Sequence, residues 1–331
     1  LAHADYECIY GKGLIMPLDP DMAELMDRIA RANAPEYPEM GAQLSREFVD
    51  RNLPVIDVPP VAVHEIQDIK VDGWQGAELD ARLYLPRAAD WTKPLPVLLW
   101  LHGGGFTIGS ITSYDAVCRT LCAKSDVAVL SVAYRLAPEA KFPTAAMDAL
   151  AAYQWLLREG TAHGLDPHKI IIGGDSAGGT LSAATCLQAR DLGLPQPILQ
   201  LLIYPGTCGF GETPAYAEYA MGYRLTKPII DWFFAQYLNS DEDRKDIRFA
   251  PLYASSHANL APAWIAIAEY DPLADDGRLY AEKLRKDGTS AELVQYDGVI
   301  HGFLNFGGIL KRPLTLHNDM AHTIKEAVCR T

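Results

Sequence analysis

The apolar run Lys169-Ile170-Ile171-Ile172 leads into Gly174-Asp175-Ser176-Ala177-Gly178-Gly179, and Thr180-Leu181-Ser182-Ala183-Ala184 continues with helical character. A strand, a tight turn and a helix are dictated in that order, because glycine at both flanks lets the backbone approach where a side chain would not fit. Such a turn holds Ser176 clear of the chain and makes it a candidate nucleophile. An ordinary strand-to-helix turn can carry the same string, so its meaning depends on the rest of the chain.

An attacking serine needs a base to take its proton and donors to hold the oxyanion formed at a carbonyl. Upstream, Pro96-Val97-Leu98-Leu99-Trp100-Leu101 runs into His102-Gly103-Gly104-Gly105-Phe106, a strand followed by three bare backbones. Gly104 and Gly105 are the foremost oxyanion donors, Gly103 is a third, and the N–H of Ala177, next after the serine, completes the set. A flexible turn is the bland alternative.

The acid and the base are expected to follow the serine in that order. Three histidines lie late enough, and His301 leaves the end of the strand-like Ala291-Glu292-Leu293-Val294-Gln295-Tyr296, whereas His317 and His322 fall in a terminal helix. Ligands of open α/β sheets sit beyond the carboxyl ends of strands, which selects His301. By the same rule Asp271 leaves the run Ala263-Trp264-Ile265-Ala266-Ile267-Ala268, with Pro272 ending the pairing. Asp275 and Asp276 open the next helix and read as acceptors for its first-turn N–H groups. Glu269 and Asp297 read as supports that fix loops.

Strand-like runs alternate with helical ones from about residue 62, which means a mostly parallel sheet covered on both sides. The first two strands, Val61 to Val71 and Ala77 to Leu85, have no helix between them and are expected to form an antiparallel edge. A helix is expected over Pro143 to Glu159, with Pro143 in its first turn. Two segments fall outside the alternation. Residues 18–52 hold two amphipathic helices, and residues 207–250 hold a loop rich in Gly and Tyr followed by the aromatic helix Thr226 to Leu238, which must sit above the site.

Together, His102-Gly103-Gly104-Gly105, Tyr134-Arg135-Leu136-Ala137-Pro138-Glu139, Gly174-Asp175-Ser176-Ala177-Gly178-Gly179, Asp271-Pro272-Leu273 and Asp297-Gly298 with His301-Gly302-Phe303 resemble the hormone-sensitive-lipase-like branch of the α/β-hydrolases, especially its bacterial esterases. The likeness runs from about residue 60 to the end. It implies an α/β-hydrolase fold with a mostly parallel eight-stranded sheet flanked by helices and a helical cap. It implies a serine carboxylesterase using Ser176, Asp271 and His301 without cofactor or metal. It also implies a structural loop at Tyr134 to Glu139, with Arg135 and Glu139 ion-paired. The corresponding division is a cap from residues 1–52 and 207–250 over a catalytic domain of 53–206 and 251–331. Two rivals stay open: an amidase or deacetylase on the same triad, and a ligand-binding receptor like the plant gibberellin receptors, whose triad is incomplete.

With 29 Lys and Arg against 42 Asp and Glu, the net charge of −13 argues against nucleic acid and anionic membranes as partners. No apolar stretch approaches the roughly eighteen residues that span a bilayer. The first eight residues show no basic start or apolar core, so no leader is expected there. Cys8, Cys118, Cys122, Cys186, Cys208 and Cys329 form no metal-binding spacing and read as reduced thiols in the cytoplasm. The expected partner is a small-molecule ester, and a homodimer is left open. Phe106, Tyr204, Ile300 and Phe303, bulky and beside the catalytic motifs, are the expected pocket residues, and they favour short acyl chains.

Overall fold

The computed structural model describes residues 18–330 except 89 and 91. Cys8 and the first 17 residues of the segment read as cap, including the stretch read as lacking a leader, lie outside the described residues.

Eight strands form one sheet in the order β1-β2-β4-β3-β5-β6-β7-β8. They are β1 (Glu65–Asp72), β2 (Glu78–Leu85), β3 (Leu95–Leu101), β4 (Ala128–Val132), β5 (Leu165–Asp175), β6 (Leu199–Ile203), β7 (Ala263–Tyr270) and β8 (Ala291–Ile300). β1 pairs antiparallel with β2 and β2 with β4, so the expected antiparallel edge is present, and every pairing from β4 through β8 is parallel. The central strands β4 and β6 are buried at every residue, which is why they read as unbroken apolar runs: parallel strands are covered on both faces. Alternation decides which face each residue serves. Val97, Leu99 and Leu101 of β3 join one core, whereas Leu98 and Trp100 join the other.

The first core is packed by helices Thr144–Glu159 and Ala177–Asp191, the second by Asp115–Ser125 and Arg312–Arg330. Pro143 stands at the N-cap of the first of these helices rather than in its first turn, a shift of one residue from the expected start. Before the sheet, helix Pro20–Ala32 is followed by Tyr37–Ile56, which bends at Gly41. After β6, the short helix Pro214–Glu218 precedes the aromatic helix Lys227–Tyr237. Among the described residues no helix is long and apolar enough to cross a membrane.

The expected Arg135–Glu139 pair does not form. The Arg135 guanidinium donates to both carboxylate oxygens of Asp148, at 2.6 and 2.9 Å, and to the Trp74 carbonyl at 3.0 Å. Asp148 is fully buried on its helix, and a carboxylate in that position needs a bidentate cation and backbone donors, which Arg135 and the Trp74 N–H supply. Glu139, on an exposed turn, instead accepts from Arg46 of helix Tyr37–Ile56. Arg46 also donates to the carbonyls of Thr107 and Ala137, so the second N-terminal helix is tied directly to the segment that follows the three glycines.

Candidate active site

Ser176 sits between the last residue of β5 and the first of helix Ala177–Asp191, at φ 52 and ψ −119. A non-glycine residue holds positive φ only when its surroundings fix it. Here the Ser176 N–H donates to the Ile203 carbonyl at 2.8 Å, and Gly174 and Gly178 press so closely on β3 that a Cβ on either would collide with the Leu101 carbonyl oxygen. The two flanking glycines therefore lock the turn against the sheet, and the serine side chain is left partly exposed.

Three sequence-selected residues converge. Ser176 Oγ lies 2.9 Å from His301 Nε2, and His301 Nδ1 lies 2.7 Å from Asp271 Oδ2. Asp271 follows the end of β7 and is fully buried; its second oxygen accepts the Leu273 N–H at 2.8 Å, which restrains the carboxylate beside His301. His301 follows the end of β8, and the Tyr204 ring packs on its imidazole at 4.6 Å between centroids. The helical alternatives lie elsewhere: His317 is fully buried, and that burial pushes its imidazole down to about 4, while His322 is exposed and faces Glu326.

The three glycines divide in role. The Gly103 N–H donates to Asp175 Oδ1 at 2.8 Å, so Gly103, selected from the sequence as an oxyanion donor, has its amide committed to a side chain. Gly104 at φ 118 and Gly105 at φ 56 have left-handed backbones, and neither amide, nor that of Ala177, donates to another group among the described residues. Asp175 was missed as a working residue, although a carboxylate between a buried strand and the serine is itself a signal. It is buried, receives the Tyr114 hydroxyl at 2.8 Å on its other oxygen, and thereby binds the glycine loop to the serine turn. Burial pushes its carboxyl up to about 6, against the opposing effects of the Tyr114 hydrogen bond and the nearby His301.

A cavity of about 780 Å³ opens over Ser176 and His301. It is floored by the glycine loop and walled by Leu25, Ile29, Phe48 and Leu53 from the N-terminal helices and by Ile229, Phe233 and Phe234 from Lys227–Tyr237. Of the four expected pocket residues only Phe106 lines it. Tyr204, Ile300 and Phe303 are fully buried behind His301: Tyr204 touches the His301 ring and Phe303 packs on Tyr204 at 5.9 Å. Nearness in sequence to a strand end placed them in the packing under the imidazole, where they support its orientation instead of meeting a ligand.

The side chains of Asp275 and Asp276, in the first turn of helix Ala274–Lys286, also reach beyond their own helix. Asp275 accepts the Ala215 N–H at 2.8 Å and Asp276 the Cys208 N–H at 2.7 Å, so the pair anchors the segment that follows β6. Glu269 accepts the Gly298 N–H at 2.8 Å, which braces the end of β8 where a loop was expected, and Asp297 receives Gln295. Burial pushes the Asp276 carboxyl up to about 7, with the Cys208 amide opposing and the Asp271 charge adding. An acid raised in the folded state holds its proton more tightly there, so its contribution is complete below the unfolded value near 4 and is lost as pH climbs through 7. Asp276→Asn, which keeps an acceptor for Cys208, is therefore expected to gain roughly 1–3 kcal/mol over the parent between about pH 5 and pH 9 in denaturant unfolding. A constant difference across that range would show that the carboxyl stays ionised.

Among the described residues no group of three or more His, Cys, Asp and Glu could hold a metal ion. The arrangement as it stands supplies a hydroxyl, an imidazole oriented by a carboxylate, and free N–H groups, which are the parts for nucleophilic attack on a carbonyl.

The family model described as alpha/beta hydrolase fold matches residues 98–305. The carboxylic ester hydrolase LipN of Mycobacterium tuberculosis is 44% identical over 255 residues, covering 75% of this chain and 67% of that protein. The ethyl acetate hydrolase of Pseudomonas putida is 36% identical over 89% of this chain and 95% of its own. In structure, the hyperthermophilic esterase of the archaeon Pyrobaculum calidifontis superposes with a TM-score of 0.89 at 37% identity, over 95% of this chain and 99% of that one.

Proposed function

The chain belongs to the hormone-sensitive-lipase-like branch of the α/β-hydrolases and is a carboxylesterase, and we propose that it cleaves short- to medium-chain esters through an acyl-enzyme on Ser176. The observation that carries this reading is the unbroken relay from Ser176 Oγ to His301 Nε2 and from His301 Nδ1 to Asp271, at 2.9 and 2.7 Å. A binding protein of the same fold has no need of that relay.

As Ser176 Oγ attacks the ester carbonyl, its proton passes to His301 Nε2, and the buried Asp271 carboxylate stabilises the imidazolium through Nδ1–H. The carbonyl oxygen, now an oxyanion, is received by the N–H groups of Gly104, Gly105 and Ala177. The C–O bond to the alcohol then breaks, and the alcohol leaves with the proton from Nε2. Water enters, gives a proton to the same nitrogen and attacks the acyl carbon, and the acid departs as Ser176 regains its hydrogen. One imidazole is base and acid in turn.

In this reading, residues 1–52 and 207–250 form a cap over a catalytic domain of 53–206 and 251–331. The enzyme works in the cytoplasm on a small ester, consistent with the unpaired buried thiols of Cys118, Cys122, Cys186 and Cys208. A sulfonyl fluoride is expected to modify Ser176 and no other serine, with loss of p-nitrophenyl acetate hydrolysis in step. Label on a different peptide in mass mapping would remove Ser176 from its role.

Acyl-chain preference follows from the enclosure. Each added methylene strengthens binding by about 0.8 kcal/mol only while apolar space remains. Phe233, Phe234 and Phe249 line one side of the cavity, and the surrounding helices carry exposed charge, as in the Arg31–Asp27 and Lys227–Asp231 pairs, beside the exposed apolar side chains of Leu44 and Phe48. Over p-nitrophenyl esters of rising length, kcat/KM is expected to peak at about four to eight acyl carbons and then fall. A steady rise into long chains, or a jump in rate at the solubility limit, would identify an interfacial lipase.

A further inference from the structure

Among the described residues, Arg224 is the only Lys or Arg that lines the cavity, in a chain whose net charge is −13. It stands at the centre of a three-residue turn closed by the Leu225 N–H and the Tyr223 carbonyl at 2.7 Å, with φ 63. A long side chain held at left-handed φ on such a turn is a local conformational cost that the sequence retains. The guanidinium lies over the face of the Phe306 ring at 5.0 Å. A contact of that kind uses none of the guanidinium's N–H donors, so its edge is free to meet a further partner. Among the described residues this edge has no hydrogen-bond or ion-pair partner.

Of the four acidic side chains that share the cavity, three are already engaged, and the fourth, Glu36, stands at the N-cap of helix Tyr37–Ile56. Asp175 holds Gly103 and Tyr114, Asp276 holds Cys208, and Glu39 accepts the Glu36 N–H at the start of its helix. Position adds the last element. A Cβ on Gly302, the residue after His301, would stand 3.9 Å from an Arg224 terminal nitrogen. His301 Nε2 must hand its proton to the departing alcohol, so the alcohol portion of a bound ester passes beside His301 and Gly302.

We propose that Arg224 is a specificity-determining residue that binds a carboxylate on the alcohol portion of the substrate, so that this enzyme favours esters of hydroxy acids over esters of neutral alcohols. The inference rests on the assignment of Ser176 and His301 given above. A planar guanidinium edge matches a carboxylate in a two-point contact that a neutral amide of the same shape cannot reproduce.

The test compares short ω-acetoxy carboxylates with the corresponding ω-acetoxy amides, which release the same acetyl group and differ in the charge at the far end of the alcohol. The full chain is expected to hydrolyse the carboxylates with kcat/KM higher by about tenfold, the scale of one charge-assisted contact at a half-exposed site. Arg224→Gln should abolish that preference while p-nitrophenyl acetate hydrolysis stays within about twofold, and Arg224→Lys should retain part of it. Equal rates on acid and amide in the parent overturn the proposal. So does an Arg224→Gln variant that loses the same factor on all three ester types, since that marks Arg224 as a brace for Phe306. Ser176→Ala, run alongside, keeps the two readings apart. Activity surviving that change overturns the nucleophile and this inference with it, whereas activity lost there with no acid preference in the parent overturns this inference alone.

Discussion

Ser176→Ala is expected to lower kcat for p-nitrophenyl esters by about four to six orders of magnitude, and Asp271→Asn by about four, with both proteins folded. The first removes the atom that attacks. The second acts through a tautomer, and the local hydrogen bonds say which way the amide must turn. The Leu273 N–H donates to Asp271 Oδ1 at 2.8 Å, so an asparagine there keeps its oxygen toward Leu273 and presents its NH2 to His301. Nδ1 must then accept, the ring proton moves to Nε2, and Nε2 can no longer take the proton of Ser176 Oγ, which stands 2.9 Å away. Asp275→Asn and Asp276→Asn leave that geometry intact and are expected to keep activity within about tenfold, because their acceptors serve Ala215 and Cys208. Stopped-flow and steady-state rates on purified, folded variants decide the matter. Near-parental turnover in Asp271→Asn, or a collapse in Asp276→Asn alone, would move the acid from one residue to the other.

That Ser176, Asp271 and His301 could be found in the chain at all follows from how each is presented. All three leave the carboxyl end of a strand; β5 and β7 announce themselves as apolar runs, while the edge strand β8 shows only alternation and runs on to Ile300, past the Tyr296 at which its sequence pattern stops. The sheet order beyond the antiparallel edge was not legible in that way, since parallel neighbours are chosen by packing across long connections. Pairings between distant segments were hidden for the same reason. Arg135 found Asp148 on the next helix, not Glu139 on its own turn, because the buried carboxylate had the greater need of a cation. Arg46 lies 93 residues from the Glu139 it meets. Tyr204, Ile300 and Phe303 sat beside the motifs in sequence yet behind the imidazole in space; side-chain direction at a strand end depends on register, and register depends on neighbours. Gly103 shows the finest limit. Three glycines in a row look equivalent as donors, and only the position of the Asp175 carboxylate reveals that one of them is already engaged.

That inequality gives the second large effect. Gly104→Ala is expected to lower kcat by about two to three orders of magnitude, the loss associated with one oxyanion donor, while KM changes far less. At φ 118 an L-residue is strained whatever space it has, and here a Cβ would collide with the carbonyl oxygen of Ile108. That oxygen is backbone and cannot swing aside. The loop is closed on itself by the Thr107 and Ile108 N–H groups, which both donate to the Gly104 carbonyl at 3.0 and 2.9 Å, so relief requires the turn to open and carries the Gly104 and Gly105 amides away from Ser176. Gly105→Ala meets a different obstacle, the ring of Phe233, which is a side chain on the neighbouring helix and is able to yield. Its loss should be smaller, and Phe233→Ala in the same chain should restore part of the rate by removing the ring that the new methyl strikes. Thermal unfolding of each variant separates this local displacement from a general loss of fold, because strain of about 1–3 kcal/mol leaves a protein of this size folded at assay temperature. If Gly104→Ala turned over esters as fast as the parent, the amide at that position would not be a donor, and the oxyanion would have to be held by Gly105 and Ala177 alone.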